Sequence, residues 1–160
     1  TRIYGKLNCI QNMLISAKPK NDNYFSVFSK IPNELNKKSE DLLNFVGLFQ
    51  KRKLRAGDLS FGQQKLLELA MALMNEPKML LLDEPTAGIN PTLINGIIDR
   101  LIKVNNEFNI TLLVIEHNMR VIMSLAQKIF CLAHGELISD GTPQEIKNDK
   151  RVIDAYLGVK

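Results

Sequence analysis

After Pro77 the sequence has two near-continuous apolar runs that flank a segment with helical spacing. The runs at 79–82 (MLLL) and 110–117 (ITLLVIEH) lack the alternation of a strand with one solvated face, so they predict two strands buried on both faces. Between them, 91–108 predicts a helix with Asn90 as its N-cap and a proline at its first position. Strands that alternate with a helix in this way indicate an α/β fold with a parallel sheet.

The last part of the chain predicts three shorter elements. A short helix is expected over 118–127, followed by a hairpin over 128–141 that turns at the letters HGE. The segment 142–149 then predicts a helix capped by Thr142, with Glu145 as the second half of a capping box.

Before Pro77 the pattern is helical rather than alternating. Helices are predicted over 5–16 and 34–49, and Gly47 is expected to end the second one in a left-handed conformation. The polar segment 17–33 predicts a connection between them.

Another helix is predicted to begin at Ser60, with Gln63 completing a capping box. Its apolar residues fall on one face, at positions 66, 69, 70 and 73. The first amides of this helix, at Phe61, Gly62 and Gln63, have no carbonyl partner within the helix, and Gly62 leaves room for an anion to approach. The alternative is that Ser60 only caps the helix.

Composition is that of a soluble globular protein. The chain has 160 residues, of which 45% are hydrophobic and 24% charged, and its apolar runs are far shorter than the ~18 residues of a membrane span. Two distant cysteines, Cys9 and Cys131, predict free thiols in a reducing cytoplasm. The net charge is +4, and the basic run at 51–55 predicts a solvated loop, so no nucleic-acid partner is expected.

Polar side chains follow both predicted strands at the edge where open α/β sheets bind ligands. Asp83 and Glu84 come directly after the first strand, and Glu116 and His117 end the second. An aspartate in this position can hold Mg²⁺ while the next carboxylate orients an attacking water in phosphoryl transfer. The alternative is a turn capped by Asp83 beside a solvated Glu84, with His117 as a structural loop residue.

Four motifs, taken together in their order, favour a functional role for these positions over a purely structural one. They resemble the signature motif, Walker B, D-loop and switch histidine of the ATP-binding cassette (ABC) family: LSFGQ at 59–63, MLLLDEP at 79–85, AGIN at 87–90 and VIEH at 114–117. The signature has Phe61 where glycine is commoner, and the D-loop has Asn90 where aspartate is usual.

This resemblance implies a site for ATP and Mg²⁺. Asp83 would help to hold Mg²⁺, Glu84 would be the catalytic carboxylate that polarises water, and His117 would contact the γ-phosphate. Asn90 would lie at a dimer seam. The signature residues would bind the γ-phosphate of a nucleotide carried by the opposite subunit of a head-to-tail dimer: Ser60, Phe61, Gly62 and Gln63.

A narrower resemblance is carried by LSFGQQ, EHNMRVIM, DGTPQEI and RVIDAYLG. These segments are similar to the ATPase subunits of importers for branched-chain amino acids, whose relatives serve urea and lipopolysaccharide transport. The resemblance implies membrane permease subunits as partners. It also implies a cytoplasmic subunit held peripherally at the inner face of the cell membrane.

The phosphate-binding pattern G-x-x-x-x-G-K-[ST] does not occur in the sequence, and the Gly-Lys pair of YGKL at 4–7 does not match it. By resemblance, residues 1–76 are the helical subdomain that includes the signature motif. Residues 77–160 are the C-terminal part of a RecA-like P-loop NTPase core. The resemblance also implies an unpaired sheet edge beside the strand that ends at His117, and a chain that does not hydrolyse ATP alone.

Two other functions remain open on the sequence. One is a cassette ATPase of the chromosome-maintenance type, although residues 1–58 show no sustained heptad. The other is an interaction module whose helical half docks a membrane partner without chemistry.

Overall fold

The computed structural model describes residues 2–18 and 32–157. The chain divides into two compact units: unit 1 is Thr1–Val114 and unit 2 is Ile115–Lys160. The subdomain boundary expected after residue 76 lies within unit 1 and stays a prediction.

Three helices form the first part of unit 1: α1 (Cys9–Ser16), α2 (Asn33–Phe45) and α3 (Phe61–Leu73). They pack on one another around fully buried side chains of Met13, Leu43 and Leu67. A buried polar residue, Asn12, lies among them, and its amide donates to three backbone carbonyls at 2.9–3.3 Å while its oxygen accepts from the Tyr4 amide at 2.7 Å. Because every polar atom of Asn12 has a partner, its burial costs little and fixes the turn before α1.

The predicted helix ends need two corrections. The first helix begins at Cys9 rather than Gly5, because Asn8 forms a capping box with Gln11. The second ends at Phe45 rather than at residue 49, because Gly47 has φ +77°.

Two crossed hydrogen bonds close the end of α2. The Gly47 amide donates to Asn44 O at 2.9 Å and the Leu48 amide to Leu43 O at 2.7 Å. This is the Schellman arrangement, so the predicted glycine stop is confirmed. The predicted connection over 17–33 lies mostly outside the described residues.

A parallel two-stranded sheet follows, formed by β1 (Met79–Asp83) and β2 (Thr111–Ile115). The helix α4 (Pro91–Phe108) joins the strands. As predicted, it starts at Pro91 with Asn90 as its N-cap. Its buried positions recur at helical spacing and face the core of unit 1: Ile97, Ile98, Leu101 and Val104. The predicted α/β class is therefore confirmed.

Burial of both faces of the sheet was predicted and is wrong for this structure. Leu80 is 8% exposed, whereas Leu81, which points to the opposite face, is 73% exposed. Leu113 of β2 is exposed as well. Alternate side chains of a strand point to opposite faces, so within residues 2–18 and 32–157 one face of the sheet is covered and the other is open to solvent.

Unit 2 contains α5 (Met119–Leu125), the antiparallel hairpin β3 (Ile129–Ala133) and β4 (Glu136–Gly141), and two helices, α6 (Pro143–Asn148) and α7 (Lys150–Leu157). The hairpin turns at His134 and Gly135, both with positive φ, as its right-handed twist favours. The hairpin, α6 and α7 share a small core of buried side chains: Ile129, Cys131, Ile146 and Val152.

The predicted hairpin and the Thr142–Glu145 capping box of α6 are confirmed, whereas α7 was not predicted. No helix in the described part of the chain has the length and apolar character needed to cross a membrane.

Candidate functional site

The N-terminus of α3 carries the predicted capping box. The Gln63 amide donates to Ser60 Oγ at 3.4 Å, and the Ser60 amide donates to Gln63 Oε1 at 3.2 Å. Capping therefore accounts for one acceptor site of the Ser60 hydroxyl, whose hydrogen can still be donated. The first-turn amides and the positive end of the helix dipole favour an anion at the same place.

Gly62 is buried where α3 meets the start of α4. A methyl group built on Gly62 would lie 3.3 Å from Leu93 Cδ1 and 3.6 Å from Ile89 Cγ2. The glycine thus allows close packing here, because a methyl group would require the Leu93 side chain to move by a few tenths of an ångström. The sequence interpretation, which assigned this glycine to the approach of an anion, missed this contact because it depends on a residue about thirty positions away.

The two carboxylates at the end of β1 are exposed to solvent. Asp83 is the last residue of the strand and Glu84 is the next residue. Their place at the end of an apolar run therefore carries no burial cost, because solvent reaches both side chains.

Glu84 has a backbone conformation that is rare outside glycine, with φ +44°. A turn holds it there, since the Ala87 amide donates to Glu84 O at 3.1 Å. Such strained residues cost about 1–3 kcal/mol and cluster at functional sites. No sequence signal indicates this conformation, which Glu76, Asn109 and His134 also adopt.

Asn90 ends the turn that begins at Glu84. Its Oδ1 accepts from the Thr92 amide at 3.0 Å and from the Thr92 hydroxyl at 2.9 Å, so it caps α4 as predicted. Asn90 is exposed, and its position at a dimer seam stays a prediction.

Glu116 and His117 follow β2 and belong to unit 2. The Glu116 carboxylate accepts from the Asn118 amide at 3.3 Å, and Asn118 in turn caps α5 by accepting from the Arg120 amide at 3.1 Å. His117 is exposed. The site residues of unit 1 are those of the α3 N-terminus and of the strand-to-helix turn: Ser60, Phe61, Gly62, Gln63, Asp83, Glu84 and Asn90.

Asp83 is the predicted metal ligand. No group of three or more histidine, cysteine, aspartate or glutamate side chains converges on one point within the described ranges. An exposed carboxylate at a strand end nevertheless suits Mg²⁺, which is commonly bound by one or two carboxylates together with water and substrate phosphates. The donor set around Asp83 and Glu84 thus fits magnesium bound with a nucleotide.

Comparison with protein families gives two matches along the chain. Residues 6–87 match the ABC transporter family, and residues 136–160 match a branched-chain amino acid ATP-binding cassette transporter family. Together they include the signature motif, the Asp83–Glu84 pair and the C-terminal helices.

Two bacterial relatives cover nearly all of the chain. The chain is 34% identical over 164 residues to BraF, the high-affinity branched-chain amino acid transport ATP-binding protein of Pseudomonas aeruginosa. It is 32% identical over 164 residues to the corresponding protein LivG of Escherichia coli. Each match covers 98% of this chain and 64% of the relative, so the chain spans less than two thirds of the length of these relatives.

A solved structure agrees with the family match. The ADP conformation of MJ1267, an ATP-binding cassette of an ABC transporter, superposes with a TM-score of 0.81 at 31% identity, covering 96% of this chain and 64% of that one. With the strand-end carboxylates and the capped signature helix already located, these matches make the chain a member of the ABC transporter ATP-binding family.

Proposed function

We propose that these residues belong to the ATP-binding subunit of an ABC importer, in which ATP hydrolysis drives the uptake of branched-chain amino acids. The observation that carries the proposal is the exposed Asp83–Glu84 pair, with Glu84 held in a left-handed conformation, in the same unit as the capped N-terminus of α3. The names of the relatives and the C-terminal family match support the transported substrate.

In this proposal each carboxylate has a separate task. Asp83 contributes an oxygen ligand to Mg²⁺, which when bound neutralises charge on the phosphates. Glu84 accepts a hydrogen bond from the attacking water and aligns it. The strained turn at Glu84 fixes the direction of its side chain before the nucleotide arrives, so that less reorganisation is needed during the reaction.

The remaining predicted residues bind phosphate oxygens. Ser60 can donate its hydroxyl hydrogen, and the amides of Phe61 and Gly62 lie at the positive end of the helix dipole, while the Gln63 amide donates to Ser60 Oγ. His117 would contact the γ-phosphate. In a head-to-tail dimer the nucleotide bound by one subunit meets the signature motif of the other, and Asn90 lies at the seam.

The proposed partners are a second ATPase subunit and membrane permease subunits, which would hold the protein at the inner face of the membrane. No nucleic acid is proposed as a partner. Substrate choice is testable in vesicles that contain the subunit with its permeases: uptake of labelled leucine, isoleucine or valine is expected. Uptake of urea instead would assign the subunit to a related system.

The 160-residue chain by itself is proposed to be inactive, because the sequence has no phosphate loop to hold the β- and γ-phosphates. Calorimetry should detect no micromolar binding of Mg-ATP to this chain, and no turnover is expected. Robust hydrolysis by the 160-residue chain would contradict the proposal that turnover requires the phosphate loop.

The activity is tested in a longer protein that contains these residues together with a phosphate loop, called here the complete subunit. Glu84→Gln should lower kcat about 10²–10⁴-fold and leave ATP affinity unchanged, since the amide keeps the shape but no longer acts as a base. Glu107→Gln, on the exposed face of α4, is the matched control and should change neither quantity. If the chain serves only to dock a membrane partner, neither substitution should change kcat or ATP affinity.

A further inference from the structure

Phe61, at the first position of α3, places its ring against a glycine of the same chain. A methyl group built on Gly88 would lie 3.2 Å from Cε1 of Phe61, 3.7 Å from Cδ1 and 3.9 Å from Cζ. The edge of the ring therefore fills the space that a side chain at position 88 would need. This contact joins the signature motif to the turn after β1.

Gly88 is constrained twice. Its φ of +70° lies in the left-handed region, which an L-residue enters at a cost. The ring of Phe61 adds a steric limit, because a contact of 3.2 Å is shorter than an ordinary van der Waals distance. A side chain at position 88 would thus require the Phe61 ring to move.

The segment on the other side of this contact is an ordered turn, residues 84–90, called here the 84–90 turn. The Ala87 amide donates to Glu84 O at 3.1 Å and the Ile89 amide to Thr86 O at 3.3 Å. Thr86 and Ile89 are both buried. The turn is held by its own hydrogen bonds and by these two buried side chains.

Two successive residues of α3 contact this turn and the start of α4. Phe61 lies on Gly88, and the next residue, Gly62, lies against Ile89 and Leu93. The Lys65 ammonium, one turn further along α3, is 5.6 Å from the centroid of the Phe61 ring, within cation–π range. The ring thus lies near groups of its own helix and of the turn, and it is 52% exposed.

We propose that Phe61 is a positioning residue, whose ring couples the signature helix to the 84–90 turn of the same subunit and thereby aligns Glu84. This inference rests on the proposed ATPase function and extends it. When the α3 N-terminus meets a phosphate held by the partner subunit, the ring passes that contact to the turn that carries the Glu84 carboxylate. The signature motif thereby affects the water-activating residue of its own subunit as well as the nucleotide of its partner.

The coupling has a kinetic signature that a purely structural role lacks. Removing the ring loosens the alignment of Glu84 and leaves the first-turn amides, the Ser60 hydroxyl and the phosphate loop in place. Phe61→Ala should therefore lower kcat on the order of ten- to hundredfold with little change in KM for ATP. Phe61→Tyr keeps the ring edge over Gly88 and should retain kcat within about twofold of wild type.

The contact itself is tested without any activity by a double-mutant cycle on the 160-residue chain. Gly88→Ala should lower the urea midpoint, and the shift should be smaller in the Phe61→Ala background, where the added methyl group meets open space. An equal shift in both backgrounds would overturn the contact. If Gly88→Ala does not fold, Gly88→Asn, which tolerates positive φ, takes its place.

The kinetic arm uses the complete subunit, with Leu54→Ala as the matched control. Leu54 is an apolar residue of the same unit with similar exposure, outside α3 and the 84–90 turn, and its truncation should leave kcat unchanged. If turnover of the wild type depends on Glu84 but Phe61→Ala leaves kcat unchanged, the positioning role is overturned and the proposed function is not. Absence of Glu84-dependent turnover in the wild type would overturn the proposed function and the positioning role with it, whatever the stability cycle gives.

Discussion

Substitution of Ser60 separates its role as a helix cap from its proposed role in phosphate binding. Ser60→Ala removes the acceptor for the Gln63 amide. Loss of an N-cap costs about 0.5–2 kcal/mol. The hydrogen bond is long, at 3.4 Å, and the residue is exposed, so we expect a loss in the lower half of that range, about 0.5–1 kcal/mol.

A matched cap exists in unit 2. Thr142 accepts from the Glu145 amide, also at 3.4 Å, in a capping box of the same kind. Thr142→Ala should cost at least as much, because the Thr142 hydroxyl also donates to Glu145 Oε2 at 2.9 Å. Both losses are measured by urea denaturation followed by circular dichroism, where a loss of about 0.5–1 kcal/mol shifts the midpoint by about 0.3–0.5 M for a slope near 2 kcal/mol/M.

Ser60→Asp tests the phosphate role. Aspartate caps a helix as well as serine does and interacts favourably with the helix dipole, so stability should be equal or slightly higher. Its carboxylate, however, lies where the γ-phosphate would bind. At ~4 Å and an effective dielectric constant near 20, one pair of like charges repels by about 4 kcal/mol, enough to reduce turnover more than about a hundredfold.

The assay compares Mg-ATP turnover with stability for Ser60→Ala, Ser60→Asp and Thr142→Ala in the complete subunit. We expect a stable but inactive Ser60→Asp and an active Thr142→Ala. Wild-type turnover in Ser60→Asp would refute the phosphate role of Ser60, and so would activities that simply follow stability across the three variants.

Two further predictions concern stability. Gly47→Ala should destabilise the fold by about 1–2 kcal/mol, because φ is +77° at this position. Gly96→Ala should stabilise the fold by about 0.5–1 kcal/mol, because Gly96 lies inside α4 and the nearest atom to the new methyl group is 3.7 Å away. Thermal melting should therefore show shifts of opposite sign. Hydrogen bonds from Arg151 and Ser139 lower the pKa of Asp149 well below its usual range, so this carboxylate stabilises the fold above the ordinary pKa near ~3.9 and the stabilisation is lost as pH falls through the depressed pKa. Asp149→Asn should therefore lower the melting temperature at about pH 7, and the melting temperature of the variant should fall less than that of the wild type as the pH is lowered. Melting curves recorded across pH measure this, and an equal fall in both proteins would contradict the prediction.

Local signals in the sequence predicted the elements that depend on neighbouring residues. Ser60 and Thr142 each stand three residues before a glutamine or glutamate, and both capping boxes form because the partners lie within one helical turn. Asn90 followed by a proline fixed the start of α4 for the same reason. The candidate residues of unit 1 follow from these boundaries.

Long-range packing could not be read in the same way. A continuous run such as 79–82 predicts burial on both faces, yet Leu81 is exposed, because coverage depends on other parts of a fold rather than on the strand itself. The contact between Phe61 and Gly88 joins positions far apart in the chain and has no periodicity to reveal it. The left-handed φ of Glu84 is set by the turn around it, since glutamate has no preference for that conformation.

The central claim is that a complete site combines Glu84 of one subunit with Ser60 of the other, and mixing two inactive variants of the complete subunit tests it most directly. A head-to-tail dimer of Ser60→Asp with Glu84→Gln contains one site with both substitutions and one site with neither. After random exchange of subunits, Mg-ATP turnover should return to about one quarter of the wild-type value. If each site used Ser60 and Glu84 of the same subunit, every site would carry a substitution, and a mixture as inactive as its components would contradict the claim.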